Sequence, residues 1–362
     1  QEGRLFEGKT PASAFLNSSY DGSFIAGLME LRYIQSLPVE RIINYFESHG
    51  FTLKKPTAHK LIEKASSLFE NLYKCIRQTA LSDPYKAADE TYYKILVPEK
   101  NSKGKGVRKG YLWVVVGINT RMIYLLYDDG SRSERVILNE LGSCKGIIQS
   151  DGYSPYRKLE SDAYPNITRI PCLQHIKRKF IDCGEKDPDA KRIVELINAL
   201  YQNEHKHKVG VEGWTVEQNL MHRKKYAPDI LGEIKDVLDE IEERGDLLPK
   251  SELQEAITYL RNEWNAVVDI FNYGDTYLDN NMVERMNRYI SLSRKNSLFF
   301  GSHKGAERGA ILYTIALTCR MHKVNLFEYL TDVINRTAEW QPNTPIEKYR
   351  ELLPDRWEKA ND

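Results

Sequence analysis

The sequence predicts an α/β protein in which helices flank one mixed sheet. Three segments rich in aromatic and β-branched residues follow one another, separated by turn-like charged connections, and this pattern is typical of consecutive strands. Helical and strand-like segments then alternate, which indicates a mixed sheet rather than a purely antiparallel one. A long, strongly charged helical stretch precedes a late helix. We therefore expect a helical N-terminal region, a mixed sheet and a helical insertion before that late helix.

The bulk composition is that of a soluble globular protein with two or three domains. The 362 residues are 41% hydrophobic and 28% charged, and the net charge is only +1, so a nucleic-acid surface would have to be a local patch. The longest apolar runs, "YLWVVVGI" and "AILYTIAL", are too short to span a bilayer. Five cysteines without framework spacing, and no visible signal peptide, indicate reduced thiols in a cytoplasmic protein. The chain begins with Gln1 rather than Met, which leaves room for sequence upstream.

The N-terminal region contains a helix, a turn and a second helix over residues 38–66. Each helix has an apolar stripe, and Gly50 lies in the turn between them. The two stripes are Ile42, Ile43 and Phe46 in the first helix and Leu61, Ile62 and Ala65 in the second. This pattern fits a helix-turn-helix that reads DNA, and it fits a plain helical hairpin equally well.

The sheet segments follow in chain order. The expected strands are "TYYKILV" (91–97), "YLWVVVGI" (111–118), "MIYLLYD" (122–128), "KGIIQS" (145–150) and "ITRIPC" (167–172). The first three suggest an antiparallel meander. The helical segments are "SERVILNELG" before the fourth strand, "SPYRKLES" between the fourth and fifth, and "LQHIKRKFIDC" after the fifth. Residues 186–272 are helical in pattern, "AERGAILYTIALTCRMHK" is a mostly buried helix, and residues 341–362 form a polar, loosely ordered tail.

Two aspartates lie at expected strand ends. Asp151 follows the strand "GIIQS" directly, and Asp89 precedes the strand "TYYKILV". Carboxylates at strand ends of a mixed sheet face the crevice where ligands bind. The alternatives are a turn or helix-capping aspartate for Asp151 and a surface residue for Asp89.

Glu284 lies on the late helix, within a basic run. From Glu284 to Arg308 there are six Lys or Arg residues and two acids. An apolar stripe of Met282, Val283, Met286, Tyr289 and Ile290 places Glu284 on the opposite, polar side of this helix. One interpretation is a capping box with Asn281 as N-cap, or a surface partner for the nearby cations. The other is a carboxylate that acts beside a bound polyanion.

Three carboxylates from two strands and a late helix suit two-metal phosphoryl transfer. Two divalent ions bridged by Asp89, Asp151 and Glu284 could clamp a phosphodiester and activate the attacking oxygen. Hard oxygen ligands select Mg²⁺ or Mn²⁺. The nearby Arg and Lys side chains would hold the phosphates of the nucleic acid.

Several segments together resemble the DDE transposases of the insertion sequence 66 family of bacteria. These segments are "ADETYYKIL", "GYLWVVVG", "IIQSDGYSPY", "PCLQHIKRKF", "LDNNMVERMNRYISLSRKNSLFFGSHKGAERGAILYTI" and "VNLFEYLTDVI". The resemblance covers roughly residues 30 to 340 and implies an RNase H-like catalytic domain. It matches Asp89, Asp151 and Glu284 to the family's metal-binding triad, with two Mg²⁺ or Mn²⁺ ions.

The resemblance also suggests an organisation and a DNA-binding set. We expect a helical region at 1–80, the catalytic domain at 81–305 with an insertion at about 186–272, a helical segment at 306–340 and the tail at 341–362. The candidate DNA-binding residues are His175, Lys177, Arg178, Arg288, Arg294, Lys295, Lys304 and Arg308. His175 could instead orient the site or serve only in packing. The family's coiled coil and cysteine-rich segment are not visible, and "CLQH" offers Cys172 and His175 without a second ligand pair, so the sequence does not predict structural zinc.

The function that the resemblance implies is cleavage at the ends of a transposable element and joining of 3′-hydroxyls to target DNA. Expected partners are the terminal inverted repeats, target DNA, further copies of the chain on DNA and accessory proteins of the same element, within the bacterial nucleoid. The alternatives are a metal-dependent nuclease of the same fold that does not join strands, and a catalytically inactive DNA-binding descendant.

Overall fold

A computed structural model of the chain describes residues 13–15, 18–100, 104, 106–184, 187–206, 213–338, 340–341 and 343–358. Its strands are β1 (Tyr85–Leu96), β2 (Val107–Gly117), β3 (Ile123–Leu126), β4 (Gly146–Ser150) and β5 (Ile167–Pro171). They form one sheet in the order β3-β2-β1-β4-β5. β2 and β3 are antiparallel, whereas β4 is parallel to both β1 and β5. The mixed α/β fold expected from the sequence is confirmed.

Helices surround and follow the strands. Those before the sheet are α1 (Gly22–Met29), α2 (Val39–Ser48), α3 (Lys55–Leu68) and α4 (Glu70–Ser82), with a π-helical turn at Glu30–Ile34. Those among and after the strands are α5 (Glu134–Leu141), α6 (Ser154–Arg157), α7 (Leu173–Asp182), α8 (Pro188–Lys206), α9 (Val216–Arg244) and α10 (Glu252–Ile270). The last are α11 (Asn281–Asn296), α12 (His303–Met321), α13 (Leu326–Ala338) and α14 (Ile346–Tyr349). Short 3₁₀ turns occupy Lys158–Glu160 and Arg350–Leu352.

β1 begins earlier than the sequence pattern predicts. The expected strand starts at residue 91, but pairing starts at Tyr85, and Tyr85 to Ala88 are all buried. Alanine, lysine and acidic residues are poor strand formers, so this stretch has no strand signal of its own. Parallel pairing with β4 supplies the missing stability, because a strand buried on both faces is fixed by its neighbours.

The chain divides into two compact units that do not follow chain order. The first comprises Gln1–Asp83, Glu90–Arg132 and Arg285–Asp362, and the second comprises Pro84–Asp89 and Ser133–Glu284. In the first unit α12 packs on β3, α4 packs on β2 and β3, and α1 packs on α13. The N-terminal helices therefore belong to the core of the first unit.

Helix α12 completes the hydrogen bonding of β3. Thr314 Oγ1 accepts a hydrogen bond from Leu125 N at 2.9 Å. Thr318 Oγ1 donates to Ile123 O at 2.9 Å and accepts from Ile123 N at 3.4 Å. Both threonines are fully buried. Tyr73 Oη on α4 donates to Leu125 O at 3.0 Å, so side-chain hydroxyls of two helices satisfy the backbone groups of Ile123 and Leu125 that point away from β2.

Residues 343–358 differ from the loosely ordered tail that the composition predicts. Leu352 and Leu353 are each only 2% exposed. Tyr329 Oη donates to Leu352 O at 2.8 Å, and Trp357 Nε1 donates to Asp332 Oδ2 at 2.7 Å. A few apolar residues anchor this otherwise polar segment to α13 of the first unit. The average composition of the segment does not reveal these anchors.

In the second unit, the helical insertion packs around α7 and β5. α10 contacts both α7 and β5, and α8 lies against α7 and α9. Helix α9 begins with a capping box of Thr215 and Gln218 and ends at Gly245, whose φ is +66°. The helical character predicted before the late helix is confirmed, and the described residues of this stretch contain no strand.

Gly146, at the start of β4, generates a stability prediction. Its φ is +90°, and a Cβ there would lie 2.2 Å from Pro84 O. Gly245 has a similar φ of +66° with no atom within 4 Å of its Cβ position. We expect Gly245→Ala to cost about 1–2 kcal/mol from backbone strain alone, and Gly146→Ala to cost about 1–3 kcal/mol more from the clash.

Urea unfolding followed by circular dichroism measures both variants against the parent chain. Equal destabilisation by the two substitutions would show that the close approach of Pro84 to β4 is not a constraint on the fold.

Candidate active site

Asp89 and Asp151 lie on neighbouring parallel strands of the second unit. The β1–β4 register ends with Ala87 opposite Gln149, and Asp89 and Asp151 each lie two residues beyond this last pair. Tyr85 Oη donates to Gln149 Oε1 at 2.6 Å across the same two strands. Side chains two residues apart on a strand point to the same face, so Asp89 lies on the same face of β1 as Tyr85.

The two aspartates differ in their positions relative to the ends of their strands. Asp151 directly follows β4, as expected. Asp89 is the fifth residue of β1, so the expectation that it lies at the start of a strand is wrong. Tyr153 N donates to Asp151 Oδ1 at 3.1 Å, which is the turn role considered for this aspartate. That turn uses one carboxylate oxygen and is compatible with a ligand role for the other.

Asn280 ties the start of α11 to both β1 and α7. Its Nδ2 donates to Ala88 O at 3.0 Å, one residue before Asp89. Its backbone N donates to Cys172 Sγ at 3.2 Å, at the start of α7. The side chain is only 2% exposed. This one residue therefore fixes the position from which Glu284 extends, one helical turn later.

Glu284 does not close a capping box. Helix α11 begins at Asn281, so Glu284 is its fourth residue, and Glu284 N donates to Asn280 O at 3.2 Å. A capping box requires the acidic residue at the third helical position, with its side chain bonded back to the N-cap. Glu284 Oε1 is instead buried and has no hydrogen-bond partner among the described residues.

Glu284 faces His175 and Cys172. His175 Nδ1 lies 3.6 Å from Glu284 Oε1, which is too long for a hydrogen bond, and His175 Nδ1 is also buried without a partner. One ligand atom from each of Cys172, His175 and Glu284 lies within 4.8 Å of the others. Burial raises the pKa of the Cys172 thiol to about 12, with the carboxylates of Glu284 and Asp279 adding to this and hydrogen bonds from Asn280 and His175 opposing it.

The three predicted carboxylates do not form one compact set. Among the described residues, the group of three whose ligand atoms all lie within 4.8 Å is the cysteine–histidine–glutamate group, not Asp89 with Asp151 and Glu284. A two-ion site does not require such convergence, because ions about 3.5–4 Å apart can be held by different ligand pairs. The metal role of the three carboxylates stays a prediction.

A buried arginine holds the backbone at Asp151. Arg169, on β5, is 1% exposed, and its Nη2 donates to Asp151 O at 2.8 Å. Its Nε donates to Ser150 Oγ at 3.1 Å. Its charge is balanced by Glu263 on α10 and by Glu160, each at 2.5 Å. The guanidinium group thus joins β4, β5 and the insertion helix α10 through charge-assisted hydrogen bonds.

A second contact from α10 fixes the residue after Asp151. Gly152 N donates to Tyr259 Oη at 2.8 Å. A Cβ on Gly152 would lie 2.4 Å from that oxygen, so only glycine allows the loop to come this close. The helical insertion therefore contacts the loop at Asp151 directly through Tyr259, and through Glu263 by way of Arg169.

Comparison with known proteins identifies the family of the chain. The model of the family described as "Transposase IS66 family" matches residues 17–308, which is most of the chain. The chain belongs to this family. The match includes all three candidate carboxylates, and it establishes a general transposase role that entails binding DNA.

Three proteins of Sinorhizobium fredii (strain NBRC 101917 / NGR234) are also similar to this transposase. Uncharacterized protein y4jD is 25% identical over 98% of the chain, and y4hP is 25% identical over 90%. Uncharacterized protein y4qI is 28% identical over 72% of the chain. The matched regions span 70%, 60% and 49% of these relatives, respectively.

Every helix in the described part of the transposase is too short or too polar to cross a membrane.

The candidate DNA-binding cations of the transposase fall into two groups. In the second unit Arg178 is exposed on α7, whereas Lys177 lies with its Nζ 5.8 Å from the Tyr201 ring centre. In the first unit three cations are exposed, namely Arg288, Lys295 and Lys304. The remaining two are used within the first unit: Arg294 stacks on Tyr92 at 3.9 Å and donates to its carbonyl, and Arg308 pairs with Glu63 at 2.8 Å.

Sequence reasoning missed the residues that hold the site in place. Arg169, Glu263 and Tyr259 were not candidates, nor was Asn280 as an anchor. One signal was visible for Arg169, because an arginine inside the apolar strand "ITRIPC" must find buried partners. Nothing in the sequence indicated that those partners would come from α10, about 90 residues later.

The buried ion pair leads to a second stability prediction. Glu263→Ala should destabilise the second unit by about 3–5 kcal/mol, because it leaves the buried Arg169 charge with only Glu160 as its acidic partner. Glu255→Ala, the same substitution at an exposed position of α10, should change stability by no more than about 0.5 kcal/mol. Urea denaturation of both variants makes the comparison, and matching midpoints for the two would refute a structural role for the pair.

Proposed function

We propose that this transposase cuts DNA at the ends of its element and joins the exposed 3′-hydroxyls to target DNA. Both steps are in-line displacements at phosphorus by an oxygen nucleophile, so one site serves both. The observation that carries the proposal is the β1–β4 register, which ends with Ala87 opposite Gln149, so that Asp89 and Asp151 each follow two residues beyond the last pair of these neighbouring parallel strands. Asn280 links the helix that bears Glu284 to β1, one residue before Asp89.

The donor set fits Mg²⁺ or Mn²⁺. Three carboxylates provide hard oxygen ligands, and Glu284 Oε1 is a buried acceptor without a hydrogen-bond partner, which a cation would satisfy. When bound, two such ions would activate the attacking oxygen and neutralise charge on the leaving oxygen. Asp89, Asp151 and Glu284 would hold them. Arg169 and Tyr259 keep the loop at Asp151 in position, so that its carboxylate is preorganised.

The chain contributes phosphate binding in addition to its carboxylates. Arg178 in the second unit, and Arg288, Lys295 and Lys304 in the first, are exposed cations that could contact DNA phosphates. Arg294 would act differently, by stiffening the strand region at Tyr92. We propose that His175 orients Glu284 rather than binding phosphate, and the 3.6 Å distance from its Nδ1 to Glu284 Oε1 supports this role.

The partners follow from the reaction. Two element ends must be joined to one target, so we propose that several copies of the chain assemble on the terminal inverted repeats. We further propose that accessory proteins of the same element take part and that the protein works in the bacterial cytoplasm at the nucleoid. These proposals rest on the family and on the substrate.

Substitution of the triad tests the chemistry. Asp89→Asn, Asp151→Asn and Glu284→Gln should each lower cleavage and joining of labelled terminal-repeat DNA in Mg²⁺ by at least about 1,000-fold. That factor corresponds to about 4 kcal/mol of lost transition-state stabilisation. Asp162→Asn, at an exposed position outside the site, should keep the parent rate.

The products distinguish the alternatives. Joined products support a transposase that cuts and joins, cut products alone indicate a nuclease, and bound DNA without cutting indicates an inactive descendant. Retention of near-normal cleavage by Glu284→Gln would remove that residue from the proposed site.

We also propose that α3 reads the sequence of the terminal repeat. α2 and α3 pack on each other, Lys55 pairs with Glu40 across them, and Gly50 in their connection has φ +78°. His59 and Lys60 are exposed on α3 and could reach base edges. Deleting the N-terminal region would not test this, because α4 packs on β2 and β3 and its loss would open the core of the first unit.

Two double variants separate base reading from phosphate binding. His59→Ala with Lys60→Ala should reduce the preference for terminal-repeat over scrambled duplex by about 10-fold or more, at about 1–3 kcal/mol per lost base contact. Lys295→Ala with Lys304→Ala should weaken binding to both duplexes equally. The slope of log K against log salt should then fall by about 0.9 per lost phosphate contact. An unchanged preference in the α3 variant would place recognition elsewhere.

A further inference from the structure

Two buried polar atoms in one part of the second unit have no hydrogen-bond partner among the described residues. They are His175 Nδ1 and Glu284 Oε1, which face each other at 3.6 Å. Buried polar groups in folded proteins almost always have partners, so two unsatisfied groups that face each other indicate a bound ion or water.

The spacing of the cluster fits a metal ion better than a water molecule. Two ligands about 2.0–2.1 Å from a tetrahedral ion lie roughly 3.3 Å apart, and a sulfur ligand at about 2.3 Å lies slightly further from its neighbours. The distance from His175 Nδ1 to Glu284 Oε1 is 3.6 Å, and Cys172 completes a set that spans at most 4.8 Å. These distances need only small side-chain adjustments to surround one ion.

The chemistry of the three ligands selects the type of ion. A thiolate, an imidazole and a carboxylate are the ligand types of zinc sites, whereas magnesium prefers oxygen ligands alone. Cys172 and His175 come from the same helical turn at the start of α7, and Glu284 comes from the start of α11. The backbone N–H of Asn280 donates to Cys172 Sγ at 3.2 Å and would support a thiolate there.

We propose that Cys172, His175 and Glu284 form a binding site for a zinc-class divalent ion, which competes with magnesium for Glu284. Three protein ligands leave a fourth position for water. An ion held there withdraws Glu284 from the oxygen-only set with Asp89 and Asp151. Zinc would therefore inhibit the magnesium-dependent reaction, and this second part alone rests on the function proposed above.

Cobalt(II) is a suitable probe for the site, because it replaces zinc in tetrahedral sites and is coloured. Titration of the full chain with Co²⁺ should produce the visible bands of tetrahedral cobalt and a near-ultraviolet thiolate-to-cobalt band, both removed by added Zn²⁺. Cys172→Ser should abolish the thiolate band and weaken binding by at least about 100-fold, since even losing a supporting residue costs 10–100-fold. Cys183→Ser, a thiol at the other end of α7, is the matched control and should behave like the parent chain.

The outcomes of the cobalt titration are decisive. No thiolate band in the parent chain, or the same band in Cys172→Ser, would overturn the proposal. Serine keeps an oxygen that can accept from Asn280 N, and circular dichroism confirms that the variant is folded. Glu284→Gln provides an independent check, because loss of its carboxylate should also weaken cobalt binding, and undiminished binding would remove Glu284 from the site.

The competition is tested in the DNA cleavage assay with Mg²⁺. Zn²⁺ should inhibit the parent chain and Cys183→Ser, and a chelator that binds Zn²⁺ but leaves Mg²⁺ in solution should restore activity. Relative to its own rate without Zn²⁺, Cys172→Ser should need at least about 100-fold more Zn²⁺ for the same fractional inhibition. Equal sensitivity of the two cysteine variants would refute competition at Glu284. If the parent chain does not cleave DNA at all, the proposed function fails, while the cobalt spectra still decide whether the metal site exists.

Discussion

The buried guanidinium group of Arg169 is the interaction on which the second unit depends. It has no contact with solvent, and it binds the carbonyl of Asp151, the hydroxyl of Ser150 and the carboxylates of Glu160 and Glu263. A buried charge is tolerated only when such a set of partners surrounds it, so each partner constrains the others. Two strands, a loop and the helical insertion are thereby held in one arrangement, and the loop is the one that carries Asp151. The insertion is thus structurally part of the candidate site.

Much of this fold could be predicted from the sequence because its elements are locally consistent. All five strands and the helical insertion have the expected periodicity, and the late helix begins next to the asparagines that mark it. The exceptions are segments whose structure depends on distant partners. The first half of β1 has weak strand formers and is fixed by β4, and residues 343–358 are polar except for the few residues that anchor them. Local patterns do not contain that information.

The candidate site was only partly visible in the sequence for the same reason. Asp151 and Glu284 could be selected from strand ends and helix faces, but the roles of Asn280 and Arg169 depend on contacts across 90 residues or more. The sequence shows the short spacing of Cys172 and His175, but it does not indicate that Glu284, 109 residues after His175, lies beside them. A constellation of this kind exists only after folding. Its physical signature is a group of buried polar atoms that lack partners, which no sequence pattern reports.

The threonine pair of α12 has a consequence for how copies of this chain can associate. β3 is an outer strand of the sheet, and outer strands usually expose backbone donors and acceptors to which another chain can add a strand. Here the hydroxyls of Thr314 and Thr318 occupy those groups and the helix covers them. Strand addition at this edge would require α12 to move away from the core. Protection of this edge by a helix therefore opposes uncontrolled aggregation through β3.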